Sequence, residues 1–271
     1  MKFLFIHTNS AKKIYQSLAS TDSAIETPIW AGLLENSISS AGFGAEVLDC
    51  EVQGLSAEQS ANIITESGCK MAVFVVYGQQ PSASTQNMTG AVEVAELVKQ
   101  ISPEIVIGFV GGHISALPVE TLKKHDFIDI AFTNEGVEAL HNIAQTPDIR
   151  SSLPYIKGIA YRIDKDVFLN DSSSPITKSN LDIVLPGINW NKIDPTYSYR
   201  TAGWHSWTNN SVKKPFASIY TSLGCPYKCS FCMINIINRT NNNPDIASAD
   251  SNIFRYWEPE FIIKQFDQMA K

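Results

Sequence analysis

No stretch of this chain approaches the ~20 consecutive apolar residues that a membrane-spanning helix needs, and the opening MKFLFIH is too short for a signal-peptide core. The expectation is a cytoplasmic protein without a membrane partner. Positive charge is scarce: 21 Lys and Arg face 27 Asp and Glu, for a net charge of −6 and a pI near 5.4. A nucleic-acid backbone favours a basic patch, so that partner class is set aside. No G-x-G-x-x-G follows any apolar run, which weakens a dinucleotide reading. Cysteine is sparse, five in 271 residues, and an odd number suits a reduced chain better than a disulfide framework. There are no internal repeats, and Ser172–Ser174 and Asn241–Asn243 read as loops.

What cysteine there is clusters. Cys225, Cys229 and Cys232 fall within eight residues of TSLGCPYKCSFCMI, a C-x3-C-x2-C spacing after a predicted strand. A structural zinc would want four N/S ligands, usually as paired C-x2-C knuckles. No second knuckle follows, and His205 lies in an unrelated loop. A cubane iron–sulfur cluster normally takes four thiolates, so a compact set of three leaves one iron open to a small molecule. Cys50 and Cys69 read as small buried hydrophobes.

Residues 1–145 alternate short apolar runs with amphipathic stretches, the pattern of a parallel sheet with helices on both faces. Five strands are predicted: Phe3–His7, Ala45–Cys50, Met71–Tyr77, Ile105–Gly111 and Ile128–Thr133. Thr27 before Pro28 reads as an N-cap, Ser56 and Gln59 as a capping box. Ile29, Leu33, Leu34 and Ile38 form a helical face turned to the sheet. Ligands of such sheets sit beyond the carboxyl ends of the strands. Those ends carry His7-Thr8-Asn9-Ser10, Tyr77-Gly78-Gln79-Gln80-Pro81-Ser82, Gly111-Gly112-His113 and Asn134-Glu135-Gly136. Glycines and small polar groups suit a broad, amide-decorated ligand better than a pyrophosphate. His7 reads as a packing or hydrogen-bonding residue.

The order of VGGHISALPVETL and NEGVEAL, then KGIAYRI and LDIVLPGINWNKID, then SLGCPYKCSFC, resembles the cobalamin-binding radical S-adenosylmethionine (SAM) family over almost the whole chain. The resemblance implies an α/β architecture: a flavodoxin-like, doubly wound, five-stranded parallel cobalamin domain (1–145), a connector (146–214), and the first βα unit of a radical SAM barrel (215–271). It implies cobalamin contacts from Thr8, Asn9, Tyr77, Gly78, Gln79, Ser82, Gly111, Gly112, His113, Asn134, Glu135 and Gly136. It also implies a 4Fe–4S cluster on Cys225, Cys229 and Cys232, with Phe231 near SAM's adenine. The implied reaction is methyl transfer to an unactivated carbon through a 5′-deoxyadenosyl radical and methylcobalamin. Its partners would be a small-molecule substrate of unknown identity and a flavodoxin- or ferredoxin-type electron donor. A radical cyclisation or rearrangement without methyl transfer, and a cofactor-binding fragment without activity, remain open beside it.

Two departures from the family stand out. The Asp-x-His-x-x-Gly loop that gives a histidine to cobalt elsewhere is absent, so no protein imidazole, His113 included, is expected on the lower face. The Gly-Gly-Glu segment used near SAM's amino group is missing too, and only 57 residues run from Pro215 to the end, where a complete barrel takes ~200 or more. The expectation is therefore a chain that stops inside its second unit. Between the units, Gly158–Arg162 against Val167–Leu169 predicts a hairpin acting as a strut. Trp190, Tyr197, Tyr199, Trp204, His205 and Trp207 could cap a corrin, line a channel or pack between domains.

Overall fold

The computed structural model describes residues 1–19, 23–77, 83–193, 199–200, 216–227, 229, 232–238 and 254–270. Its first half is a run of βα units. In chain order they are β1 (Lys2–His7), α1 (Ala11–Tyr15), α2 (Ile29–Ser40), β2 (Gly44–Asp49), α3 (Ala57–Glu66), β3 (Met71–Val75) and α4 (Ser84–Ile101). β4 (Val106–Val110), α5 (Gly112–Ala116), α6 (Pro118–Lys124), β5 (Ile130–Phe132), α7 (Val137–Ala144) and α8 (Ile149–Ser152) complete it. β3, β4 and β5 are buried along their whole length. That is why their sequences are continuous apolar runs without alternation.

All five predicted strands form, in parallel, in the order β2-β1-β3-β4-β5. Two apolar layers flank them. One gathers Phe3, Phe5, Met71 and Val73 under Leu33, Leu34 and Ile38 of α2 and Leu140 of α7. The other gathers Leu4, Ile6, Phe74 and Phe109 under Ile64 of α3, Val94 of α4 and Leu122 of α6. Cys50 and Cys69 lie buried in this second layer, and desolvation pushes the Cys50 thiol up to about 12, so both are packing residues.

The local signals fared unevenly. Ser56 and Gln59 form the reciprocal box, Gln59 N–H to Ser56 Oγ at 3.2 Å and Ser56 N–H to Gln59 Oε1 at 2.9 Å. Thr27 does not cap α2: its Oγ1 accepts instead from the backbone N–H of Ser218, 3.3 Å away, a partner 191 residues on.

The predicted hairpin forms as β6 (Ile159–Ile163) and β7 (Asp166–Leu169), turning at Asp164 with φ +53°. Rather than standing as a strut, it extends the sheet: β6 pairs antiparallel with β5, giving seven strands in the order β2-β1-β3-β4-β5-β6-β7. α9 (Leu181–Val184) and the segment to residue 193 then run along α2. Asn36 donates to the carbonyls of Pro186 and Gly187, at 3.2 and 3.0 Å, and Lys192 reaches the buried Glu35 at 2.5 Å.

The second unit holds β8 (Ser222–Leu223), α10 (Met233–Ile237), β9 (Arg255–Tyr256) and α11 (Pro259–Met269), with β8 and β9 antiparallel. The strand predicted before the three cysteines is regular only at Ser222–Leu223. Trp257 Nε1–H donates to Leu185 O at 2.9 Å, and Gln265 Oε1 accepts from Ile188 N–H at 3.0 Å, so α11 docks on the connector. Among the described residues no helix is long and apolar enough to cross a membrane. Phe109, fully buried and stacked on Phe74 at 5.0 Å, stands for the core: Phe109→Ala should cost roughly 3–5 kcal/mol in urea unfolding.

Candidate functional site

The strand order reverses between β1 and β3, and the helices that follow them, α2 and α4, lie on opposite faces. A crevice opens at such a point, at the carboxyl edge. Here it is a cavity of about 320 Å³, within the range of small-ligand sites. His7, Thr8 and Ser10 enter it from the end of β1, Tyr77 from beyond β3 and Asn87 from α4. Trp30 of α2 stacks on Tyr77, ring centroids 4.8 Å apart and 20° from parallel, and Tyr220 meets Trp30 edge-on at 6.4 Å. Tyr220 also lines the cavity, two residues before β8. The crevice therefore belongs to both units.

One end is ionisable. His7 Nε2 lies 3.1 Å from Glu51 Oε2, with Glu26 also in the wall. Asp49 accepts from the N–H groups of Glu51 and Val52 and from the Tyr199 hydroxyl at 2.9 Å. Burial on its own would lower the His7 pKa. The Glu51 hydrogen bond and the charges of Asp49, Glu51 and Glu26 outweigh it and raise His7 to about 9. Glu26 is raised to about 7, first by burial and then by the charge of Glu51. Tyr220 is pushed up to about 12 by burial, with a contribution from Glu26, so it stays a neutral donor.

The residues expected at the strand ends divide sharply. Thr8 and Tyr77 line the crevice; Asn9 instead donates Nδ2–H to Leu55 O at 3.3 Å. Gly111, at φ +153°, lets β4 approach β3, since a Cβ there would sit 2.6 Å from Val76 O. Gly112 is buried as the first residue of α5. His113 pins α5 to α4, its N–H to Ser84 Oγ at 3.0 Å and Nδ1 to Thr85 Oγ1 at 3.1 Å, and burial, followed by the charge of Lys124, lowers its pKa. Asn134 donates to Ser173 O at 2.7 Å and accepts from Gly136 N–H, while Glu135 pairs with Arg255. These side chains, expected as ligand contacts, bind other parts of the protein. Gly78, Gln79, Ser82 and Phe231 lie outside the described residues, as do Tyr197, Trp204, His205 and Trp207. Trp190 packs against the core and Tyr199 is buried on Asp49, both as domain packing.

His7 was read as packing, yet it lines the cavity beside Glu51. Trp30, Glu26 and Tyr220 gave no local signal. Trp30 sits within a helical apolar face, and Glu26 and Tyr220 reach the crevice through long-range folding.

The three thiols follow β8 closely. Gly224, at φ +79°, turns the chain; Cys225 and Cys232 are half-buried and Cys229 is exposed. Asn235, itself buried, donates Nδ2–H to Cys229 O at 2.7 Å and its N–H to Cys232 O, and Cys232 N–H meets Cys229 O at 3.1 Å. α10 packs on α5, which holds this loop against the sheet edge. Among the described residues no three His, Cys, Asp or Glu side chains gather closely enough to hold a single metal ion. Three soft thiols within eight residues, two half-buried and one exposed, fit a cluster in donor chemistry and exposure better than a hard cation.

Residues 17–144 match the B12 binding domain family. Over 242 residues, 86% of this chain and 38% of the relative, the chain is 24% identical to the anaerobic magnesium-protoporphyrin IX monomethyl ester cyclase of Rubrivivax gelatinosus. Over 207 residues it is 25% identical to the hopanoid C-3 methylase of Methylococcus capsulatus, covering 76% of this chain and 35% of that protein. Among solved structures, the cobalamin-dependent SAM radical enzyme OxsB superposes with a TM-score of 0.67 at 16% identity, over 98% of this chain and 31% of OxsB. The radical SAM methyltransferase TsrM from Kitasatospora setae, solved with cobalamin and a [4Fe–4S] cluster, gives 0.64 at 14%, over 100% of this chain and 47% of TsrM. The chain thus spans about a third of the length of the curated relatives it matches.

The ionisable end sets a pH dependence. A folded-state pKa raised above the unfolded value stabilises the fold at low pH and loses that contribution as pH rises through the folded value. The Glu26 contribution is full below about 4.5 and lost through about 7; that of His7 is full below about 6.5 and lost through about 9. The thermal midpoint of the ligand-free protein should therefore fall between roughly pH 4.5 and 9. Glu26→Gln should flatten the lower part of that fall and His7→Gln the upper; a midpoint constant over this range would refute the assignment.

Proposed function

We propose that this chain, in which residues 17–144 are a B12-binding domain and the fold is that of cobalamin-dependent radical SAM enzymes, binds cobalamin at the β1/β3 crevice and a [4Fe–4S] cluster with SAM on the Cys225–Cys232 loop. The reaction this reading assigns is methyl transfer to an unactivated carbon of a small molecule. One observation carries this reading: Tyr220, five residues before Cys225, is a wall of the crevice at the strand-order reversal, so both cofactor sites face one edge.

When bound, the cluster and cobalamin supply one-electron cleavage of SAM and a transferable methyl group. The chain's own residues bind and shield. Cys225, Cys229 and Cys232 offer the thiolates, and Asn235 donates to the backbone carbonyls of both Cys229 and Cys232. The cavity is sized for the nucleotide tail of a corrinoid rather than for the ring, and the Trp30–Tyr77 pair gives that tail a flat apolar wall. Thr8 and Asn87 provide hydrogen bonds at its edge. His113 is held through its ring Nδ1 by Thr85 and through its backbone N–H by Ser84. A flavodoxin- or ferredoxin-type donor would deliver the electron.

The likeness to the cyclase of Rubrivivax gelatinosus supports a second reading, radical ring formation without methyl transfer. Anaerobic turnover of the full-length protein with candidate substrates separates the two. Methyl transfer yields S-adenosylhomocysteine and 5′-deoxyadenosine together, whereas deoxyadenosine without S-adenosylhomocysteine supports ring formation and overturns the first reading.

Binding is tested without turnover. Trp30→Ala should weaken the corrin absorbance shift on titration roughly ten- to a hundredfold, the range expected for removing one aromatic stacking partner. Cys229→Ala should abolish the reduced-cluster electron paramagnetic resonance signal after anaerobic reconstitution. Wild-type affinity in the first variant or a wild-type signal in the second would refute that site.

A further inference from the structure

Where the sheet edge meets the second unit, a charged pair is buried. Arg255 is 1% exposed and Glu135 2%. The guanidinium grips the carboxylate with both arms, Nη1–H to Oε2 at 3.0 Å and Nη2–H to Oε1. It also donates from Nη1 to Ile176 O at 2.7 Å and from Nη2 to Asn238 Oδ1 at 2.9 Å. Glu135 Oε2 accepts a further N–H from Ile176 at 3.1 Å. One side chain of β9 thereby joins the loop after β5, the segment after the hairpin, and the residue that closes α10.

Both ends of this connection lead to a cofactor site. Asn238 follows α10, which begins at Met233, immediately after Cys232, and rests on α5. On the other side, the neighbour of Glu135, Asn134, accepts the Tyr77 hydroxyl on its carbonyl at 3.2 Å, and Tyr77 is the crevice wall that stacks on Trp30. From the thiol loop to the aromatic wall, every step is a hydrogen bond or a short stretch of chain.

Stability is a poor reason for such a pair. Buried ion pairs roughly break even against apolar residues of the same volume, because desolvation offsets their attraction. What the charged pair adds is direction: a planar fork on a carboxylate fixes distance and angle together, which a methionine or leucine contact does not.

We propose that Glu135 and Arg255 are positioning residues that fix the Cys225–Cys232 loop relative to the Tyr77–Trp30 wall of the crevice. This rests on the two-site reading above, and its test is arranged so that the two fail differently. The variants are Arg255→Lys, which keeps the charge but loses the fork, and Glu135→Leu with Arg255→Met, which replaces the pair by apolar groups. Each is made in the full-length protein.

Three measurements decide it. Iodoacetamide labelling of cofactor-free protein, read residue by residue by mass spectrometry, should show Cys232 reacting about tenfold faster in both variants than in wild type, as local opening becomes easier. The reconstituted cluster in both should give a broadened or shifted electron paramagnetic resonance spectrum. Thermal unfolding of the apolar double variant should remain cooperative but move below that of wild type, because Ile176 N–H and O and Asn238 Oδ1 lose their partners. Wild-type labelling rates and a wild-type spectrum in a double variant that folds would overturn the proposal and leave the pair as ordinary packing. Should the double variant fail to fold, Arg255→Lys decides alone by the same two readouts. If wild-type protein takes up no cluster, the cluster reading falls, and the labelling rates still decide whether the pair holds the loop.

Discussion

Everything functional in this molecule hangs on the reversal of winding between β1 and β3. A connection from one parallel strand to the next is right-handed, so moving outward on one side of β1 and then on the other sends successive helices to opposite faces. The chain leaving β1 and the chain leaving β3 therefore diverge and open a gap at the carboxyl edge. The aromatic pair at Trp30 and Tyr77, the ionisable end at His7, and the approach of Tyr220 from the second unit all occupy this one opening. A sheet wound in a single direction with the same residues would scatter them.

The division between what was legible and what was not follows the range of the interactions. β3, β4 and β5 were plain because strands buried on both faces need apolar residues at every position. The box at Ser56 and Gln59 was plain because both partners lie within one turn. Thr27 misled because an N-cap is a local rule and Ser218 is not a local competitor. Asn9, His113, Asn134 and Glu135 have protein partners that the sequence does not announce, for a related reason. Small polar groups at a carboxyl edge look the same in sequence whether they face a ligand or another loop, and Glu135 declares its role only through Arg255, 120 positions later. The thiol loop was legible from spacing because its ligands come from one short segment, whereas the crevice is assembled from β1, α2, α4 and the approach to β8.

The electrostatics of the two regions are handled differently. At Glu135 a full charge is matched by a full charge and by backbone groups on both partners, with Arg255 Nε the one guanidinium donor left without an acceptor among the described residues. At His7 the balance is uneven: one imidazole faces Glu51, Glu26 and Asp49, burial followed by the charge of Glu51 raises Glu26 and Asp49, and the carboxylates raise His7 against its own burial. The first arrangement resists change, and the second is poised to respond to whatever charge or hydrogen-bond donor enters the cavity.

The hairpin built onto the sheet has a consequence in counting. β5 ends at the carboxyl edge, β6 starts beside that end and runs away from it, and β7 brings the chain back, so that Ser173 and Ile176 arrive next to Asn134 and Glu135. Two antiparallel passes restore the level of the chain; one or three would deliver it to the opposite rim, a full strand length from the carboxyl edge. Parity, rather than the identity of any residue, therefore governs how this connector can vary. Adding or removing a whole hairpin would keep the chain at the carboxyl edge, and adding or removing a single strand would not.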